Sequence, residues 1–241
     1  MGIRRDIVRT LNLRIVRGGP GRPATYQTYQ VSVDEHLNIL DAVQKVWATQ
    51  DPTLLFRHAC HHASCGLCGV RVNGRERLMC LTPIAEFPEG ATVTLEPLRN
   101  FPWVGDLVVD VKPLMDRMAA IQAPYVRKDE LTAGSEEGTR FEDCIECGLC
   151  MSACPVVGSD SAYLGPSPLA MIKRLLEEPR GRDIQSLCAL AGDAHGAWRC
   201  HSVMECVEVC PSNVDPSQAI GWLRRYLILR GRRQLAGAER R

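Results

Sequence analysis

What the 241-residue chain lacks narrows its class before any motif is read. No segment approaches the roughly eighteen consecutive apolar residues of a membrane span, so the chain does not cross a bilayer by itself. Its first ten residues have neither the apolar core nor the small-residue cleavage site of a secretory signal, which argues against export. Arg4-Arg5 has no apolar stretch behind it, against a twin-arginine address, and Asp6 interrupts the myristoylation pattern begun at Gly2. The formal net charge of only +1 supplies no field for a polyanion, so nucleic acid is not expected as a partner. Low-complexity segments are missing too. What remains, with 45% hydrophobic and 24% charged residues, is an ordinary globular chain of one or two domains.

Cysteine is the exception, with twelve in the chain. A disulfide framework needs an oxidising compartment, and without an export signal the cysteines read better as reduced metal ligands. Cys60, Cys65, Cys68 and Cys80 fall as C-x4-C-x2-C with a distant fourth, the plant-type [2Fe-2S] spacing. Gly66 and Gly69 beside the middle ligands suit a backbone forced close to a cluster. His58, His61 and His62 share that loop, but four thiolates already saturate two irons, so a Rieske centre is disfavoured and these histidines read as exposed loop residues or partner contacts.

Cys144, Cys147, Cys150 and Cys154-Pro155 form the run C-x2-C-x2-C-x3-C-P, in which the fourth cysteine serves a different cluster. By that logic Cys144, Cys147 and Cys150 hold a [4Fe-4S] cubane with Cys210, which also precedes a proline. Cys154 joins Cys200 and Cys206 at another cluster. The position between those two where a further ligand would stand is Val203, and valine cannot bind iron, so this site is expected to be [3Fe-4S]. Cys188, in an apolar helical context, reads as a buried structural thiol. Zinc is the competing reading. Well-separated C-x2-C knuckles would favour it, whereas overlapping cysteines in one run fit a cubane better.

Hydrophobic periodicity places the elements. Alternation over Leu11 to Val16 predicts a strand broken by Gly18-Gly19-Pro20-Gly21, with a hairpin return from Tyr26 to Val33. Ile39, Leu40, Val43, Val46 and Trp47 predict an amphipathic helix capped by Asn38. Phe56 to Cys68 has no period and reads as a loop. Asn73-Gly74 predicts a type I′ hairpin, and Ala91 to Leu98 another strand. Leu107 to Met118 reads as helical, Lys128 to Arg140 as an exposed connection, and Pro168 to Glu178 as a helix with one broad apolar face. Asp215-Pro216 opens a last helix running to about Leu229. An α+β first half and a helical second half follow, with domains 1–105 and 106–241.

A plant-type loop followed by Cys-Ile-Glu-Cys-Gly-Leu-Cys-Met-Ser-Ala-Cys-Pro and then Cys-His-Ser-Val-Met-Glu-Cys-Val-Glu-Val-Cys-Pro resembles the iron-sulfur subunit of succinate dehydrogenase and fumarate reductase. Asp106-Leu-Val-Val-Asp110 and Asp215-Pro-Ser-Gln-Ala-Ile220 add to that resemblance, which covers nearly the whole chain. It implies a β-grasp ferredoxin domain, a helical bacterial-ferredoxin-like domain, and an electron-transfer role between an FAD-bearing flavoprotein subunit and a quinone at a membrane-anchor cytochrome b subunit. The protein would then lie peripherally at the cytoplasmic face of the cell membrane. The resemblance also implies quinone contacts from Pro155, His201 and Val203. Ubiquinone-reducing relatives carry tryptophans just after the Cys-Pro, where this chain has Val156-Val157-Gly158-Ser159, which points to menaquinone. The C-terminal arginines 224, 225, 230, 232 and 233 offer contacts to an anionic membrane surface or a partner, and a solvated helical face explains them equally well. Two rival functions share the cysteine pattern: the same subunit in a soluble fumarate reductase, and a stand-alone polyferredoxin.

Overall fold

The computed structural model describes residues 7–121, 144–177 and 183–238. They form two compact units, the first made of the described residues up to Val111 together with Ile145–Leu149, the second of the remainder.

In the first unit, β1 (Val8–Gly19) and β2 (Arg22–Asp34) form the expected hairpin, turning at Pro20-Gly21 with a register shift between Arg17 and Gly19. The period-two pattern buries Leu11, Leu13 and Ile15 completely. α1 (Ile39–Thr49) starts with a capping box: Asp41 N donates to Asn38 Oδ1 at 3.2 Å, and Asn38 N donates to Asp41 Oδ2 at 3.0 Å. Ile39, Leu40, Val43 and Val46 are fully buried, each contributing roughly 1.5–3 kcal/mol through lost contact with water. Trp47, assigned to the same face, is instead 46% exposed at its margin.

β3 (Gly69–Val72) and β4 (Arg75–Leu78) turn through Asn73 (φ 49°) and Gly74 (φ 85°), the left-handed pair that a type I′ turn requires. β5 (Thr92–Glu96) runs parallel to β1 and antiparallel to β3, giving the sheet order β2-β1-β5-β3-β4.

The stretch expected to be helical from Leu107 divides. β6 (Trp103–Gly105) pairs with β7 (Val108–Val109), and helix α2 begins only at Lys112 and runs to Ala120. Two adjacent β-branched valines are stiff in a helix and pack well in a ladder, and a short apolar run does not separate the two states. Between these strands Asp106 is buried, with Oδ1 accepting from Gly18 N (3.0 Å) and Oδ2 from Leu55 N (2.9 Å), while Arg17 Nε lies 3.2 Å from Oδ1. One carboxylate thus fastens β1 to the residue that leads into the cysteine loop.

The second unit is helical: α2, most of α3 (Leu149–Ala153), α4 (Pro155–Ser159), α5 (Pro166–Glu177), α6 (Ile184–Gly192), α7 (Glu205–Glu208) and α8 (Pro216–Ala238). α5 opens two residues earlier than its periodicity suggested, because Pro166 and Pro168 sit in a first turn where a missing N–H costs nothing. Asp215 Oδ1 accepts from Gln218 N at 2.8 Å, the expected cap, and α8 continues past Leu229. Leu169, Ile172 and Leu175 of α5 and Ile220 and Leu223 of α8 are buried. Ala170 and Ala219, with Val214, form a small cluster between them. The proposed connection Lys128 to Arg140, Glu178, and the side chains of Arg232 and Arg233 lie outside the described residues. Among the described residues no helix is long and apolar enough to cross a membrane. The protein therefore has a sheet-bearing N-terminal part and a helical C-terminal part.

Candidate metal centres

Residues 56–68 form neither helix nor strand, as the missing period implied. Left-handed backbone at His61 (φ 61°), Ala63 (φ 61°) and Gly66 (φ 69°) bends the chain back on itself. The bend aims amides at sulfur: Ser64 N and Cys65 N donate to Cys60 Sγ at 3.2 and 3.3 Å. The amides of His62, Cys65 and Ser64 stabilise the thiolate and bring the Cys60 pKa down to about 6. Cys68 closes the loop beside Cys80, their sulfurs 3.3 Å apart and both buried, and burial pushes the Cys68 thiol up to about 12. Met79 N, donating to Cys68 O at 3.1 Å, fixes that approach. Directed amides, left-handed backbone and paired buried thiols are what an iron-sulfur core needs from its cradle. His58, His61 and His62 are exposed, as expected of loop residues; His58 stacks on Phe56 and meets His61 Nε2 at 3.2 Å.

Gly66 shows how closely this loop is held. A Cβ there would stand 2.8 Å from both Cα and Cβ of Cys147 and 2.9 Å from Ile145 O. The segment Ile145–Leu149, which carries Cys147, thus packs within the first unit directly against the Cys65–Gly66 turn.

The second unit contains a cavity whose lining includes Cys154, Pro155, Tyr163, Cys200, His201, Val203, Met204, Cys206 and Ile220. Three separate segments supply the cysteines: Cys154 precedes α4, Cys200 follows a 3-10 turn (Ala197–Arg199), and Cys206 lies in α7. Ser202 N donates to Cys200 Sγ at 3.3 Å, and Ser202 (φ 57°) and Met204 (φ 70°) take the left-handed backbone that wraps the loop. Burial raises Cys206 to about 12 and raises Cys154, the latter opposed by the amides of Val157 and Val156. His201, Val203 and Met204 are exposed, forming the cavity's solvent side. The cysteines and the residues singled out beside them, Pro155, His201 and Val203, therefore meet in one place.

Polar ties hold this cavity's walls. The Asp160 carboxylate accepts from Arg199 Nε (2.9 Å) and Ala162 N (3.0 Å) and lies 2.9 Å from His195 Nδ1; His195 and Arg199 bring its pKa down to about 2. Arg224 donates from Nε to Ala197 O at 3.0 Å and from a second nitrogen to Cys200 O. This arginine, grouped by sequence with residues facing a membrane or partner, is instead turned inward onto the Cys200 loop. Tyr163, fully buried, completes the wall; burial and then the nearby thiols of Cys200, Cys154 and Cys206 keep its hydroxyl protonated. Sequence reading missed Asp160 and Tyr163 and gave Arg224 a different role; none of the three belongs to a metal-ligand motif.

Elsewhere in the second unit, Cys144 and Cys210 pack against the Ala170, Val214 and Ala219 cluster, bringing together two residues 66 apart in the chain. Cys150 is partly buried in α3. Cys188 is half-buried in α6 rather than buried, and burial raises its pKa. Among the described residues no group of three or more His, Cys, Asp or Glu closes on a single metal ion.

Known proteins agree with this division. A family described as "2Fe-2S iron-sulfur cluster binding domain" matches residues 12–116, and one described as "4Fe-4S dicluster domain" matches residues 140–214. The fumarate reductase iron-sulfur subunit of Mycobacterium tuberculosis is 35% identical, over 81% of this chain and 83% of that protein. The mitochondrial succinate dehydrogenase [ubiquinone] iron-sulfur subunit of Candida glabrata is 28% identical, over 92% of this chain and 93% of its own length. Among solved structures, a chain of the Mycobacterium smegmatis Sdh1 complex in the apo form superposes with a TM-score of 0.84 at 30% identity, covering 93% of this chain and 98% of that one. With cluster-binding domains in this order and relatives matched nearly end to end, the chain belongs to the family of fumarate reductase and succinate dehydrogenase iron-sulfur subunits, components of an oxidoreductase complex.

Proposed function

We propose that this chain is the electron-transfer subunit of a membrane-bound succinate:quinone oxidoreductase and holds three clusters. Cys60, Cys65, Cys68 and Cys80 hold a [2Fe-2S] cluster in a β-grasp domain over residues 1–105. Cys144, Cys147, Cys150 and Cys210 hold a [4Fe-4S] cluster, and Cys154, Cys200 and Cys206 a [3Fe-4S] cluster, in a helical bacterial-ferredoxin-like domain over 106–241. Such clusters, when bound, take up and release single electrons. The chain's own residues supply burial, amides directed at sulfur, and fixed spacing; the dicarboxylate chemistry belongs to an FAD flavoprotein subunit.

The observation that carries the reading is the cavity of the second unit. It gathers Cys154, Cys200 and Cys206, and Val203 stands in its lining at the sequence position of a fourth ligand. Pro155, His201 and Val203 line the same cavity, and His201 and Val203 are exposed there, which favours a quinone arriving beside the cluster from a cytochrome b membrane anchor. The imidazole of His201 can donate a hydrogen bond or proton to a reduced quinone. The segment Val156-Val157-Gly158-Ser159 favours menaquinone. On this reading the protein sits peripherally at the cytoplasmic face of the cell membrane.

Iron analysis and electron paramagnetic resonance of the purified complex test the assignment. About nine irons per chain and an oxidised three-iron signal are expected from the ligand count. Ten irons without that signal would refute the three-iron site. Val203→Cys should convert the site toward a four-iron cluster and remove the signal. A complex that stays soluble without detergent and carries no quinone would instead favour the soluble fumarate reductase.

A further inference from the structure

Within the second unit, one buried tyrosine lines the cavity of the three cysteines without belonging to the proposed ligand set. Tyr163 is fully buried and lines the cavity with Cys154, Cys200 and Cys206, and its hydroxyl makes no well-formed hydrogen bond, with the Cys200 thiol the nearest protein acceptor. A buried phenol hydroxyl left unpaired is costly, and phenylalanine would fill nearly the same space without that cost. The acceptor it needs is therefore the Cys200 sulfur or a group bound in the cavity beside it.

The position is also braced. Tyr163 N donates to Asp160 O at 3.1 Å, and the Asp160 carboxylate is tied to Arg199, one residue before Cys200. Leu164 N donates to His195 O at 3.0 Å, securing the next residue. The hydroxyl and the Cys200 loop are thus held by one set of bonds, as groups that set the properties of a metal centre commonly are.

We propose that Tyr163 Oη donates a hydrogen bond to the cluster held by Cys154, Cys200 and Cys206, through a cluster sulfide or Cys200 Sγ, and thereby raises that cluster's reduction potential. The inference rests on the ligand reading given above. One electron passed from the proposed [4Fe-4S] cluster, which is thereby oxidised by one electron, makes this cluster one unit more negative. The tyrosine keeps its proton and transfers nothing. Its O–H dipole stabilises the more negative reduced state more than the oxidised one, so reduction becomes easier.

The test is a redox titration of the holo complex, monitored by the three-iron resonance, comparing the parent with Tyr163→Phe. Iron content should be unchanged, while the ratio of reduced to oxidised cluster at fixed potential should fall about tenfold, which is about 59 mV for a one-electron couple. Pulsed hyperfine spectroscopy after exchange into D2O should show an exchangeable proton coupled to the cluster in the parent and lost in the variant. If Tyr163→Phe does not assemble, 3,5-difluorotyrosine at position 163 keeps the shape and strengthens the donor, and should move the potential upward. An unchanged potential together with an unchanged proton coupling, in a complex with full iron content, overturns the inference alone. A parent complex with no cluster at Cys154, Cys200 and Cys206 overturns both the inference and the ligand reading.

Discussion

The two cysteine groups described above are assembled by different means. In the first unit, Cys60, Cys65 and Cys68 lie within nine residues, and a left-handed bend of the same loop supplies the amides that face sulfur. In the second, Cys154, Cys200 and Cys206 come from segments up to fifty-two residues apart, and helix packing and long-range ion pairs bring them together. A site built from contiguous backbone depends on local conformation and on having room for it. A site built across helices depends on its braces.

The comparison can be broken most directly at a proposed ligand. On the assignment proposed above, Cys206→Ser should abolish the cluster of the second unit's cavity and its three-iron signal, while the plant-type signal of the first unit persists. Loss of both signals in electron paramagnetic resonance would show that the two sites do not form separately.

Gly66→Ala should come next in size. The new Cβ meets backbone and Cβ of Cys147 at 2.8 Å rather than a flexible chain end, and φ of 69° is itself unfavourable for alanine. Together these cost roughly 2–5 kcal/mol. The denaturation midpoint of the holo chain should fall, with bleaching of the plant-type absorption; an unchanged midpoint would mean that the loop has slack.

Arg224→Leu removes two hydrogen bonds to carbonyls of the Cys200 loop and should cost roughly 1.5–3 kcal/mol, as for bonds from a charged donor. Chelator challenge should then strip iron faster from the second unit's cavity than from the first unit's loop. Equal rates at both would contradict the distinction between local and braced sites.

The smallest effect is expected at Asp160. Its folded pKa of about 2 lies below the ordinary carboxylate value of about 3.9, so its contribution is fully present above about pH 4 and is lost as pH falls through about 2. Relative to the parent, Asp160→Asn should show a constant stability deficit above about pH 4 that closes toward pH 2. A deficit that instead widened in acid would reverse the sign of the linkage.

Legibility in the sequence follows the same division. The Asn38 cap, the Asn73-Gly74 turn, the β1–β2 hairpin and the aperiodic cysteine loop were readable because each rests on residues near one another in the chain. Leu107 to Met118 misled, because Val108 and Val109 find a ladder partner in Trp103–Gly105 that periodicity does not reveal. Arg224 misled for a related reason. An arginine late in an amphipathic helix looks solvated until the helix is seen to lie over the Cys200 loop.

The sequence by itself determined the number, order and spacing of the cysteines, the valine at position 203 midway between Cys200 and Cys206, and the division into a strand-bearing part followed by a helical part. Those are properties of residue type and short-range period, which survive without coordinates. Only the tertiary structure decided that Cys147 packs with the first unit against Gly66, that Arg224 and Asp160 brace the Cys200 loop, and that the Tyr163 hydroxyl is buried beside three thiols. Such contacts join residues far apart in sequence, and their energies depend on burial and distance, which no local pattern encodes.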